Sequence, residues 1–203
     1  MPINYYTADE QSITELITAV KRDLAHPAHA KLAGVLQKVY DLPTEHRPHP
    51  IYAVGPEDII SGHVVDKTKL IGWRYLDESE DGGNQTVEVN CAPDGSNHRF
   101  AGFNRGLFVE GTVETLNQAS HDQQIATGQY LVSLLRIHEL YVVALWLRAQ
   151  EAAQSDLFIA LEPTPEYLTS WPTVYTVTQF EEALKDEASR AIERRGPPKQ
   201  ERF

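Results

Sequence analysis

His26-x-x-His29 and His46-x-x-His49 place four imidazoles within 24 positions. Zinc sites use this residue type, so metal chemistry is the first to weigh. The spacing argues against it. "HRPHP" reads as extended chain, rising about 3.1 Å per residue, which sets the Cα atoms of His46 and His49 roughly 9 Å apart. His26 leads into a helix and His29 falls in its first turn, where the dipole disfavours a protonated ring. No cysteine joins them, and the carboxylates nearby are Asp41 and Glu45. These histidines read as solvated loop residues, and no metal site is expected. His138-Glu139 opens like the HExxH zinc motif, but Val142 stands where the second histidine belongs.

Nucleophile and cofactor signatures give no more. The serines lack a G-x-S-x-G setting. Cys91 follows the alternation of a strand and reads as a core residue. Neither G-x-x-x-x-G-K-[ST] nor G-x-G-x-x-G occurs, so the usual nucleotide cradles are missing and no cofactor is expected.

Arginine offers a better opening. Arg74 lies between Trp73 and Tyr75 and points to the opposite face of their strand. There it could pair with Glu88 across the strands, its stem covering apolar surface, or face a ligand beside Gly72. "RFAGFNRGLF" combines Arg99 and Arg105 with three phenylalanines and two glycines. A backbone nest with arginine could hold an anion there, and the aromatics could line a pocket. His138 completes the ligand-binding candidates, and Glu110 or Glu114 could supply acid–base chemistry.

Three readings of function follow. The first is a non-catalytic interaction or accessory domain, because no acid, base, nucleophile and orienting group converge along the chain. The second is a small-molecule-binding protein or enzyme with an arginine-lined pocket. The third is a metal-dependent hydrolase. The corresponding partners are an unknown protein or a small anionic ligand.

Charge narrows the partners. The chain carries a formal net charge of −11. Such a surface repels phosphate backbones and anionic lipid, so neither nucleic acid nor membrane is expected. The longest apolar run is Leu140 to Leu147, far short of the about 20 residues a membrane helix needs. With one cysteine and a start lacking a secretory pattern, a cytoplasmic location is expected.

These side chains need elements to hold them. Ile13, Leu16, Ile17, Val20 and Leu24 form one helical stripe; Leu32, Val35, Leu36, Val39 and Tyr40 form a second. Residues 8–40 thus read as a helical pair. A short strand and a helical turn after Pro56 follow. Ile71, Trp73 and Tyr75 alternate, as do Val87, Val89 and Cys91, around the turn residues "EDGGN". Only a loop with an odd number of residues sets Trp73 and Tyr75 opposite the valines; three residues is the expected length. A middle helix is expected from about Thr112 to Gly128.

"LYVVALWLRAQEAAQSDLFIALEP" decides the architecture. As a hairpin, Leu145 faces Ile159 and Trp146 faces Phe158, with apolar residues on both sides of both strands. Such strands belong in the middle of a covered sheet. "QYLVSLLRI" reads as a further strand. A closing helix starts with Thr178 and Glu181 at capping-box spacing and buries Phe180, Leu184, Ala188, Ala191 and Ile192. The sum is one α+β domain over residues 1–195, with 196–203 as a flexible tail. The expected sheet is mainly antiparallel, of about five strands. It is covered by the N-terminal helical pair, the middle helix and the C-terminal helix.

Overall fold

The computed structural model describes residues 3–6, 18, 22, 48–77 and 84–195. The expected tail lies outside them, as do all of the expected helical pair but Thr18 and Arg22 and most of the turn between the alternating strands. Among the described residues the architecture is α+β, built on a nine-stranded mixed sheet with four helices. This corrects the expectation of about five mainly antiparallel strands covered by a helical pair.

The strands are β1 (Ile3–Asn4), β2 (His49–Ala53), β3 (Lys69–Asp77), β4 (Gln85–Asn90), β5 (Arg99–Asn104), β6 (Tyr130–Ile137), β7 (Val142–Ala149), β8 (Leu157–Ala160) and β9 (Tyr175–Thr176). Their order is β5-β4-β3-β2-β6-β7-β8-β9, and β1 also lies beside β6. Both β1 and β2 run parallel to β6. These pairings are what make the sheet mixed. They join segments some eighty or more residues apart in sequence, beyond the reach of any local turn pattern.

The β7–β8 hairpin has the expected register: Ala144 opposite Ala160, Leu145 opposite Ile159, Trp146 opposite Phe158. Its residues feed two clusters, one on each face of the sheet. Burial on both faces is why these strands carry almost no polar residues. The β3–β4 pair also follows parity, with Trp73 opposite Val89 and Tyr75 opposite Val87. At Gly72 the two strands come very close. A Cβ there would lie 2.3 Å from the carbonyl oxygen of Val89, so no larger residue fits without a shift.

The helices are α1 (Pro56–Ile60), α2 (Leu107–Ala119), α3 (Gln123–Ala126) and α4 (Val177–Arg195). Val109, Val113, Leu116 and Ala119 of α2 pack in one cluster with Leu76, Leu134 and Leu145. Phe180, Leu184 and Ala188 of α4 pack in the other with Trp146 and Phe158. The rings of Phe158 and Phe180 stack at 4.6 Å, and those of Trp146 and Phe158 at 5.8 Å.

Several local expectations are corrected. The middle helix begins at Leu107 rather than near Thr112, and "RFAGFN", where a backbone nest was considered, is strand β5. The helix stops at Ala119, and Asp122 then caps the separate α3 through the amides of Gln124 and Ile125. At α4, Thr176 and Gln179 make the reciprocal capping bonds two residues before the expected pair. Cys91 is only half-buried; it lies just past β4, where its amide bonds to Ile71.

Candidate anion-binding site

The site begins with register. Arg74 on β3 stands opposite Glu88 on β4. Both side chains are buried, Arg74 at 3% exposure and Glu88 at 6%. Nε and Nη2 of Arg74 donate to Oε1 of Glu88, at 2.8 and 2.6 Å. A third donor, Nη2 of Arg136 on β6, reaches the same oxygen at 2.6 Å. Thr112 ties this group to α2. Its hydroxyl donates to the carbonyl of Phe108 and accepts from Nη1 of Arg74.

The electrostatics follow from burial. Desolvation alone would raise the Glu88 carboxyl. The charge of Arg74, the hydrogen bond from Arg136 and that residue's charge outweigh it, and the carboxyl falls below its usual range. Glu88 therefore stays ionised at neutral pH and serves as an acceptor, not a proton donor. Burial disfavours the charged form of Arg74, and Glu88 opposes that. A buried ion pair of this kind survives through hydrogen bonding, and removing one partner exposes the other's desolvation cost.

This group forms part of the wall of a cavity of about 690 Å³, which also takes in Asn104, Arg105, Phe108, His138, Tyr141 and Pro163. Its lining thus sets Arg74 and Arg136 against one carboxylate, Glu88, with Arg105 on the same wall. Helix α2 starts at its edge, with Gly106 at φ +99° as the N-cap and no side-chain cap. The first amides of a helix present partial positive charge. A locally positive cavity in a strongly acidic chain favours an anion. The bonds to Glu88 and Thr112 hold Arg74 in place, and the bond to Glu88 uses one of Arg136's five N–H donors.

Arg74, Arg105 and His138 thus meet in one cavity. Arg74 is both things considered for it, a cross-strand partner of Glu88 and a cavity wall. Arg99 does not join them: it is exposed at the start of β5 and lines none of the cavities described here. Glu110 and Glu114 line a neighbouring groove with Glu162 and Ser170. His26, His29 and His46 lie outside the described residues. His49 is fully buried in β2, not solvated in a loop. Among the described residues, no group of three or more histidine, cysteine or carboxylate side chains is placed to hold a metal ion. Arg136 was missed. Its signal was plain: it is the only charged residue in "YLVSLLRI", a strand otherwise suited to burial.

Comparison with known proteins finds no matching family model, no matching curated protein and no matching solved structure. Among the described residues, no helix is long and apolar enough to cross a membrane.

Proposed function

We propose that this protein binds a small organic anion in the cavity walled by Arg74, Arg105, Arg136 and His138. One observation carries the reading: two arginines from separate strands converge on one carboxylate oxygen, leaving an excess of positive charge in a cavity of ligand size. Arg136 is the ligand-facing cation, because it is less buried than Arg74 and less engaged. Guanidinium donors suit carboxylate or phosphate heads, which accept paired N–H bonds.

The test is calorimetric titration with inorganic phosphate and with acetate, on the native protein and on Arg136→Met. Saturable binding that the variant loses supports the reading. No saturable binding of either anion at millimolar concentration, or equal binding by the variant, refutes it.

A second reading has its own observation. Leu107, Phe108 and Tyr141 are the exposed large apolar residues among those described, and all three line this cavity. An apolar rim around a positive pocket also suits an interaction domain that receives an acidic side chain of a protein partner. In that case serine at Leu107 and Tyr141 abolishes co-purification of one defined partner while phosphate binding persists.

A further inference from the structure

The cavity does not end at its apolar rim. Phe108, Tyr141 and Pro163 line it, and the same three residues line a second cavity of about 780 Å³ on the side of Tyr167 and Arg194. They form a ridge between two concavities. Tyr141 is 84% exposed, although it joins two of the most buried strands of the sheet. Its backbone is left-handed (φ +55°), and its amide bonds to the carbonyl of His138. The neighbouring carbonyl of Leu140 is held at 2.6 Å by the hydroxyl of Tyr167. The ring is therefore displayed on a braced turn rather than on a loose loop.

The charges differ across the ridge. On the first side, arginines exceed carboxylates. On the second, Glu187 is paired with Arg194 and Arg190, and Arg195 with Glu139 and Glu57, three carboxylates to three arginines, so little net charge remains. A ligand placed across the ridge meets cations at one end, aromatic faces in the middle and a charge-balanced hollow beyond. Resting on the anion reading above, we infer that the site selects an aryl anion: a carboxylate or phosphate head among the arginines, carrying a flat ring that lies against Tyr141 and Phe108. An inorganic anion fills only the first part. A flat ring gains offset or edge contact with the two aromatic side chains, which an aliphatic chain of the same size does not.

The experiment compares four probes by calorimetry: inorganic phosphate, butyl phosphate, phenyl phosphate and benzoate. The proteins are native, Tyr141→Ala, Tyr141→Phe and Arg136→Met. Phenyl phosphate is expected to bind roughly ten-fold more tightly than inorganic phosphate. Tyr141→Ala loses that advantage without changing the affinity for inorganic phosphate, and Tyr141→Phe keeps it. Arg136→Met weakens every probe. Tyr141 is almost wholly exposed, so its replacement leaves folding intact. Equal affinities for phenyl and inorganic phosphate, both lost in Arg136→Met, overturn the aryl inference while the anion reading stands. So does butyl phosphate binding as tightly as phenyl phosphate. Binding of none of the four overturns both.

Discussion

Arg136 donates to Glu88 at 2.6 Å, although β3 and β2 lie between their strands in the sheet. Three strand spacings on a flat sheet amount to about 14 Å, more than these two side chains easily bridge. The bond nonetheless forms, so Glu88 ties β4 to β6 across two intervening strands. The arginine pair thus depends on the strand order of the sheet.

Removing the shared acceptor should be costly. Glu88→Ala leaves two arginines, one of them deeply buried, without their counter-charge. The expected loss is about 3–5 kcal/mol in a urea unfolding titration. Replacing the trio together (Arg74→Met, Glu88→Leu, Arg136→Met) removes the buried charges as a set and should recover most of that loss. A triple variant less stable than Glu88→Ala would show that packing, not charge, governs this spot.

Acid should act through the same carboxyl. Its folded value is depressed, so its stabilising contribution is complete above the ordinary glutamate value of 4.5. It is lost as pH falls through the lower folded value. Stability followed from pH 6 down to pH 2 should fall less steeply in Glu88→Gln than in the native protein. Parallel slopes would argue that Glu88 gains nothing from its arginines.

Gly72 sets the approach of β3 to β4. Gly72→Ala forces a Cβ against the Val89 carbonyl, a backbone atom that cannot swing aside. Overpacking of this kind costs about 1–3 kcal/mol. Because Arg74 is two residues along, the variant should also weaken anion binding. Unchanged melting temperature and affinity would contradict the close contact.

The aromatic stack through the sheet's other face should be a main support of the fold. Phe158→Ala removes the ring between Trp146 and Phe180 and should cost about 3–5 kcal/mol. Near-ultraviolet circular dichroism would report the loss of ordered packing at Trp146.

Tyr167→Phe deletes one hydrogen bond, to Leu140, and should cost about 1 kcal/mol. The phenol is pushed up to about 12 by burial, with Glu187 adding to the rise, so it remains a donor across the ordinary pH range. Hydrogen exchange should quicken at Tyr141 in the variant while β6 and β7 stay protected.

Much of this protein was legible as pattern. Alternation at Trp73 and Tyr75, doubled apolar faces at Val142–Leu147 and the stripe from Phe180 to Ala191 each record a local period, and a local period reports which side of an element is buried. Arg74, Arg105 and His138 stood out for a similar reason: charge in an apolar or glycine-rich setting is conspicuous. Arg99 was equally conspicuous and turned out exposed, since residue type alone does not say which way a strand end faces.

What tertiary structure decided was long-range. Nothing near β2 or β6 announces that they run side by side in parallel, because no turn links them and the pairing rests on burial shared with the rest of the sheet. Arg136 joined the site only through that pairing. By itself the sequence determined the β7–β8 hairpin, the β3–β4 register and the stripe of α4, since a local period follows from side-chain direction along each element. Strand order and the meeting of Arg136 with Glu88 came from packing both faces of one sheet at once, a condition no single stretch of chain contains.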